Sequence, residues 1–255
     1  LRIRSNAIGI ASESFEPEPV SIDELYTGYC DAEVDQEYID QLYKNGRTNI
    51  ADLKVSSNQF VILKDRQNTS HSALARMSPS RESLRSIIKP NQEVWGISAR
   101  NKEQVFALDL LLDDDVQLVT LVGKAGTGKT LLAIAAGLHL VADERKYQRL
   151  LVSRPIFPLG RDLGYLPGTV EEKLNPWMQP IFDNVEFLMG RSHFSRQHNK
   201  RSYQELIDLD LLQIEPLTYI RGRSIASQFL IVDEAQNLTP LEVKTIVSRA
   251  GEGTK

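Results

Sequence analysis

The sequence predicts an α/β fold in which a parallel β-sheet carries helices on both faces, preceded by a small accessory module. Two apolar runs favour this fold, Leu118–Val122 and Phe229–Val232, because strands this uniformly apolar belong in sheets that are covered on both sides. A glycine-rich segment follows the first run and a pair of acidic residues follows the second. Ligands of such sheets bind outside the carboxyl ends of the strands. We therefore expect a binding site at that edge.

The composition is that of an ordinary globular protein, with 41% hydrophobic and 25% charged residues in 255. The net charge of −4 gives no overall nucleic-acid-binding character, so any such contact requires a local basic patch. We interpret the single cysteine, Cys30, as a partly buried side chain. No run approaches the roughly 20 apolar residues of a membrane span and no signal peptide opens the sequence, so we expect a cytoplasmic protein without a membrane partner. Because the sequence starts at Leu1 without methionine, we also expect it to come from the interior of a longer protein.

Residues 15–92 predict a linker followed by a small β-rich module. Ten acidic residues and no lysine or arginine lie between positions 13 and 40, a pattern more typical of a solvated face or tether than of a binding site. A helix is expected over Glu37–Lys44, with Gly46 at its carboxyl end. The β-favouring runs Gln59–Lys64 and Ser72–Met77 predict the two strands of a hairpin.

Residues 93–255 predict the α/β domain itself. Apolar residues at helical spacing over Asn101–Leu112 precede three aspartates, and the first apolar run comes next. Pro176 and Pro180 are expected to break or kink a helix in the middle of the domain. The remaining predicted elements are strands at Arg149–Ser153 and Leu211–Ile214, and helices at Glu171–Met189 and Tyr203–Leu209.

A phosphate-binding loop is the most specific pattern in the sequence. It has the required spacing of a glycine, four residues, a glycine, a lysine and a hydroxyl residue, and it lies between a predicted strand and a predicted helix. Glycines let backbone N–H groups surround phosphate oxygens, Lys129 would reach the β- and γ-phosphates, and Thr130 would bind Mg²⁺. The alternative is a glycine-rich turn without a ligand. The loop consists of Gly123, Lys124, Ala125, Gly126, Thr127, Gly128, Lys129 and Thr130.

The carboxylates after the second apolar run predict the other half of a hydrolytic site. Asp233 is expected to hold the shell of Mg²⁺, in part through water, and Glu234 to orient or deprotonate the attacking water. Gln236 would sense the γ-phosphate and relay its loss to a bound polymer. The alternative is a helix N-cap, since Thr239 precedes a predicted helix that runs to Arg249. A further strand separates the two motifs in sequence, so we do not expect their strands to be immediate neighbours.

Gln104 is a candidate for recognition of the nucleotide base, before the phosphate loop. A side-chain amide presents a donor and an acceptor together, which matches N6 and N7 of adenine. In several helicase groups, a glutamine upstream of the phosphate loop has this role. The alternative is an exposed residue at a helix start.

A basic segment, Gly190–Arg201, is a candidate for contacts with nucleic-acid phosphates. We favour the alternative of a surface insertion. Its histidines, His193 and His198, have no ligand partners at metal spacing, so a zinc site is not expected. The four cations of the segment are Arg191, Arg196, Lys200 and Arg201.

Three separately spaced blocks resemble the PhoH family of bacterial ATPases, over roughly residues 94–255. The resemblance implies ATP as the nucleotide, RNA as the partner, a homo-hexameric ring, and a RecA-like P-loop NTPase fold. The sequence Asp-Glu-Ala-Gln at 233–236 is also similar to the second motif of superfamily-one helicases. Arg154 and Arg249 become candidates for cations that sense the γ-phosphate or a neighbouring subunit. The blocks are Gly123–Thr130, Ser153–Gly168, and Asp233–Asn237 with Thr239–Pro240 and Arg249–Lys255.

The upstream sequence resembles the longer branch of that family, in which a PIN-type ribonuclease domain precedes the ATPase. The matching stretches are Leu1–Arg4, Phe60–Leu63 and Ser72–Arg76. Residues 1–14 resemble the tail of the PIN domain, whose metal ligands would lie upstream, so nuclease activity is not assigned to this sequence. A sensor strand of the family would follow Lys255, so we expect the ATPase domain to be incomplete at its carboxyl end.

The sequence thus predicts an ATP-hydrolysing motor that acts on RNA, an RNA helicase coupled to a PIN ribonuclease in the longer protein. One alternative is a P-loop kinase, which would transfer phosphate to a small acceptor and would not need Glu234 as a base. The other is a nucleotide-gated RNA-binding or regulatory module without motor activity.

Overall fold

The computed structural model describes residues 26–50, 53–87, 93–155, 170–191, 203–220 and 222–255. The chain divides into two compact units, Leu1–Arg85 and Ser86–Lys255. The predicted PIN-like tail at residues 1–14 lies outside the described residues. Among the helices that are described, none combines the length and the hydrophobicity needed to cross a bilayer.

The first unit is built on a five-stranded sheet with the order β1-β3-β4-β5-β2. The predicted hairpin is confirmed, since β3 and β4 pair antiparallel, and the predicted helix is α1. Gly46 ends that helix with a φ of 71°, where its N–H donates to Leu42 O. The elements are β1 (Tyr29–Val34), α1 (Gln36–Asn45), β2 (Arg47–Thr48), β3 (Phe60–Asp65), β4 (Ser72–Met77) and β5 (Leu84–Ser86).

The core of this unit is small and apolar, and it holds none of the predicted site residues. Ile39 and Leu42 of α1 pack with Val61 and Leu63 of β3. Cys30 on β1 is half-buried as predicted, and burial raises the pKa of its thiol.

The second unit is built on a parallel sheet with the order β7-β6-β8. The α/β class with a parallel sheet is therefore confirmed. A π-helical turn, His139–Asp143, follows α3, and 3₁₀ turns lie at Leu217–Ile220 and Ala235–Asn237. The elements are α2 (Lys102–Leu112), α3 (Lys129–Leu138), β6 (Arg149–Arg154), α4 (Val170–Arg191), α5 (Tyr203–Asp208), β7 (Leu212–Pro216), β8 (Gln228–Val232) and α6 (Pro240–Val247).

Helix α3 packs closely on the sheet because its surface is apolar and contains a glycine. Leu132, Ile134 and Leu138 are buried, as are Leu150 and Phe229 of the strands beneath. A Cβ at Gly137 would lie 2.7 Å from Leu150 Cδ1 and 3.0 Å from Phe229 Cδ1. Glycine at this position lets the carboxyl-terminal half of α3 approach β6 and β8 closely, and a larger residue would force these side chains to move.

The first apolar run differs from its prediction. Leu118–Val122 is not assigned as a strand and pairs with no described strand. Val119 and Leu121 pack against the core, whereas Leu118 and Val122 are 70% and 65% exposed. Alternate side chains thus face the core and solvent, as in a strand, but the second face has no cover within the described residues.

Helix α4 continues through Pro176 and Pro180, so of the predicted break or kink, a break does not occur. Two missing N–H donors are tolerated because the helix buries an apolar stripe that includes Ile181, Val185 and Leu188. The helix also extends to Arg191, whose Nε donates to Gly96 O at 2.9 Å. Arg191 therefore belongs to a packed helix, while the rest of the basic segment lies outside the described residues.

Lys255 joins the edge of β8 to the end of α2. Its N–H donates to Gln228 O at 3.1 Å, and its carbonyl accepts from Leu230 N at 2.8 Å. Its ammonium donates to the carbonyls of Leu110 and Asp113 at the carboxyl end of α2. Burial lowers the pKa of this lysine to about 8.

Candidate functional site at the carboxyl end of the parallel sheet

The glycine-rich loop has the backbone that its sequence predicts. Gly126 and Gly128 have φ values of 76° and 85°, in the region that residues with a Cβ rarely adopt. Thr127 Oγ1 donates to Lys124 O at 2.9 Å and closes the turn. Gly128 is the N-cap of α3, so the unpaired N–H groups of the first helical turn face the concave side of the loop.

Lys129 is the first residue of α3 and folds back over the loop. Its ammonium donates to Gly123 O at 2.9 Å and to Lys124 O at 2.8 Å. These carbonyls hold the charge beside the backbone N–H groups that would receive an anion. The loop and its lysine therefore form one cationic cradle.

Thr130 connects this cradle to the acidic strand. Its hydroxyl donates to Asp233 Oδ1 at 2.8 Å, across 103 positions of sequence. A hydroxyl and a carboxylate in contact are the hard oxygen ligands that Mg²⁺ prefers. No group of three or more acidic, histidine or cysteine side chains capable of binding a metal occurs in the described part of the chain. Mg²⁺ keeps several waters and uses one or two carboxylates together with substrate phosphates, so Thr130 and Asp233 are the residues that could hold it.

The sheet register places Asp233 and Arg154 side by side. Ser153 on β6 pairs with Val232 on β8, and Asp233 N donates to Ser153 O at 2.9 Å. The residues that come next are therefore Arg154 at the end of β6 and Asp233 directly after β8. Arg154 Nη1 and Asp233 Oδ2 are 3.9 Å apart. Both side chains are largely buried, with 21% and 14% exposed.

Glu234 lies next to the same arginine and has an unusual backbone. Its Oε1 is 3.6 Å from Arg154 Nη2, and its Oε2 accepts from Gln236 Nε2. Its φ is 52°, in the left-handed region that is costly for a residue of this type. The pair Asp233 and Glu234 is not the cap of α6, because Thr239 and Glu242 form a reciprocal capping box there.

Gln104 lies in the first turn of α2. The side chain of Asn101 accepts from Gln104 N at 2.8 Å and caps the helix. The amide oxygen of Gln104 accepts from Arg100 N at 2.7 Å, and its Nε2 donates to Thr127 O at 3.2 Å. The amide thus holds the phosphate loop, and contact with adenine would require it to turn away from Thr127.

Arg249 is not brought into this cluster. It follows α6, and its carbonyl accepts from Ile225 N at 2.9 Å. Within the described residues, its guanidinium forms no ion pair with Asp233 or Glu234. Of the two candidate cations, Arg154 is therefore the one beside the carboxylates. The sequence identified Arg154 as a candidate but did not place it, because its position beside Asp233 depends on the parallel pairing of β6 and β8.

The geometry agrees with the comparison to known families. Residues 96–255 match the family model described as PhoH-like protein. The chain belongs to the PhoH family. The chain is 46% identical over its whole length to "Protein PhoH2" of Bacillus subtilis (strain 168), of which it covers 58%. It is 37% identical to "Protein PhoH2" of Mycolicibacterium smegmatis, of which it covers 55%.

A shorter match links the chain to proteins described as PhoH-like. The "PhoH-like protein" of Bacillus subtilis (strain 168) is 36% identical over 138 residues, which is 54% of this chain and 40% of that protein. This PhoH-family chain thus spans a little over half the length of the PhoH2 relatives that match it from end to end.

Proposed function

We propose that this chain contains an ATP-binding and ATP-hydrolysing domain of the RecA-like, superfamily-one-helicase-like P-loop class, acting on RNA. The observation that carries the proposal is the hydrogen bond between Thr130 and Asp233. It joins the glycine-rich loop to the carboxylate pair, so that a phosphate cradle and a base for water lie at the same edge of the sheet. Family membership supports the ATPase assignment.

Some residues of the site would bind the nucleotide, and others would take part in its hydrolysis. The N–H groups of the loop and Lys129 bind the phosphates of ATP, and Thr130 and Asp233 would hold Mg²⁺. The ion neutralises charge that develops on the phosphates. Glu234 orients a water molecule and accepts its proton at a carboxylate oxygen.

Gln236 supports a link between hydrolysis and a bound polymer. Its amide donates to Glu234, so a movement of the turn that follows β8 would change the position of this carboxylate. In our proposal RNA is the polymer, the assembly is a homo-hexamer, and the longer protein carries a PIN ribonuclease. The PhoH2 relatives are long enough to contain a further domain, which is compatible with this arrangement.

The proposal is tested by phosphate release from Mg·ATP in the intact protein, with and without single-stranded RNA. We expect RNA to stimulate turnover, and Lys129→Ala to lower it by about 100-fold or more, since one donor to developing charge contributes about that factor. Lys146→Ala is the matched control, because Lys146 is a half-exposed lysine paired with Asp114 and Glu144. Equal turnover by Lys129→Ala and wild type would refute the proposal. Transfer of labelled phosphate to a small acceptor would indicate a kinase instead.

A nucleotide-gated RNA-binding module is the second candidate. It is favoured by the contacts of Glu234, because its two carboxylate oxygens face Arg154 and Gln236. Filter binding of labelled RNA with ATP, with ADP and without nucleotide distinguishes this candidate. RNA affinity that follows the nucleotide, with no phosphate release, would support the module over the motor.

A further inference from the structure

Arg154 lies between the residue expected to hold the metal and the residue expected to orient water. Its guanidinium faces Asp233 Oδ2 on one side and Glu234 Oε1 on the other. The remaining oxygens of these carboxylates have partners of their own, since Asp233 Oδ1 accepts from Thr130 and Glu234 Oε2 from Gln236. Two of the four carboxylate oxygens are therefore hydrogen-bonded within the protein, and the other two form ion pairs with Arg154.

The contacts of Arg154 are ion pairs beyond hydrogen-bond distance, so an anion that comes closer can replace them. At 3.9 Å and 3.6 Å the two ion pairs are longer than hydrogen bonds of the guanidinium, which are about 2.7–2.9 Å. A phosphate offers a guanidinium the same paired oxygens as a carboxylate, with equal or greater charge. A phosphate group that reaches the end of β6 would therefore compete for Arg154.

The contact between Arg154 and Asp233 would weaken if Thr130 and Asp233 held Mg²⁺, because like charges repel. Arg154 would then pair mainly with Glu234, and this ion pair would hold Oε1 towards the guanidinium and not towards the attacking water. The left-handed backbone of Glu234 also indicates that its neighbours restrain it, because a strained conformation persists only where the surrounding structure holds it.

We propose that Arg154 is a positioning residue that holds Glu234 in a resting arrangement, and that an RNA phosphate draws Arg154 away and releases the carboxylate. This inference rests on the proposed ATPase function. Arg154 then suppresses hydrolysis when RNA is absent, and it makes turnover depend on RNA. Its partner is the phosphate backbone of RNA, because a guanidinium at a strand end recognises charge and not base sequence.

The test is the steady-state kinetics of ATP hydrolysis by the intact protein carrying Arg154→Gln. Without RNA, we expect kcat to rise about fivefold, the change that corresponds to removal of roughly 1 kcal/mol of ion-pair restraint. The KM for ATP should stay within about twofold of wild type, because Arg154 does not contact the phosphate loop. Stimulation by RNA should fall by the same factor. Arg154→Lys, which keeps the charge, should restore part of the suppression.

Arg149→Gln is the matched control, since Arg149 lies at the other end of the same strand and pairs with Asp210. We expect it to leave kcat and RNA stimulation as in wild type. A fall in kcat for Arg154→Gln would overturn the proposal and assign Arg154 to the transferred phosphate. An unchanged RNA-free kcat would overturn it as well.

A second readout does not depend on hydrolysis. In a double-mutant cycle with Arg154→Gln and Glu234→Gln, the unfolding midpoints without nucleotide should be non-additive, because the two side chains interact. Additive midpoints would contradict the restraint. If the wild-type protein releases no phosphate from ATP, the proposed function itself is refuted. If the wild type is active and Arg154→Gln has the same RNA-free kcat, only this inference is refuted.

Discussion

Strand β6 has an arginine at each end, and the two arginines lie in different surroundings. At the amino end, Arg149 donates to Gln213 and Asp210. At the carboxyl end, Arg154 lies at longer distance from Asp233 and Glu234. The amino-end contacts connect the strand to β7 and to the turn after α5. The carboxyl-end contacts also reach Thr130 and, through it, the phosphate loop.

The acidic partners of the two arginines share a left-handed backbone, but the two residue types tolerate it differently. Asp210 and Glu234 both have positive φ values, 59° and 52°. Aspartate is one of the residues that tolerate this region, because its short side chain can bond to the local backbone, whereas glutamate is not. The difference teaches that the same ion-pair chemistry stabilises the fold at one end of the strand and constrains a candidate catalytic carboxylate at the other.

Glu234→Gln, near the carboxyl end of β6, is expected to have the largest effect on activity. We expect ATP turnover to fall by about 100-fold or more, because a positioned base contributes about that factor. ATP binding should persist, since the phosphate loop and Asp233 are unchanged. Fluorescence titration with an ATP analogue and phosphate-release kinetics measure the two quantities separately. Glu144→Gln, near the amino end of β6, serves as the control with unchanged turnover.

Glu234→Gln would contradict the account in either of two ways. Turnover close to wild type would mean that Glu234 is not the base. Loss of ATP binding together with turnover would mean that the carboxylate belongs to the binding contacts.

The second expected effect is on stability and concerns the middle of the sheet. Gly137→Ala should destabilise the protein by about 1–2 kcal/mol, because overpacking against Leu150 and Phe229 costs about 1–3 kcal/mol and alanine regains up to about 1 kcal/mol in a helix. Urea unfolding measures the change. Gly190→Ala in α4 is the control, since no atom lies within 4 Å of the added Cβ, and it should be stabilising. Destabilisation by both variants would argue against the close approach of α3.

The smallest expected effect is a pH dependence near the amino end of β6. A hydrogen bond to Asp143 raises the pKa of His139, and Glu144 adds to the shift. Because the folded-state pKa lies above the unfolded value, the stabilisation is fully present below about pH 6.5 and is lost as the pH rises through the folded-state pKa. Melting temperatures of wild type and His139→Gln across this range should converge as the pH rises. Parallel curves would show that the ion pairs of His139 contribute nothing.

The local elements of the fold were predictable from sequence because they depend on local patterns. The spacing of the phosphate loop, the apolar residues of β8 and Gly46 after α1 each indicate a structure within a few residues. Pro176 and Pro180 were expected to break or kink α4, and they do not break it because buried apolar contacts of the helix outweigh two missing donors. The exposure of Leu118 and Val122 was not predictable either, since it depends on which strands lie beside the run.

The candidate site was only partly predictable, because some of its contacts join segments that are distant in sequence. The glycine loop and the acidic pair were found by sequence pattern, yet the bond from Thr130 to Asp233 depends on how α3 packs on the sheet. The role of Gln104 in holding Thr127 was missed, because an amide before a phosphate loop fits both a base contact and a backbone contact. The place of Arg154 depends on strand order, which spacing alone does not specify.

The measurement that tests the central claim most directly is calorimetric binding of ATP, with and without Mg²⁺, to Asp233→Asn and Asp210→Asn in the intact protein. If the carboxyl end of the sheet holds the nucleotide and its metal, Asp233→Asn should weaken Mg²⁺-dependent binding by about tenfold, or roughly 1.4 kcal/mol. Binding without Mg²⁺ should change little, and Asp210→Asn should match wild type under both conditions. Equal Mg²⁺-dependent affinities for the two variants would contradict the account.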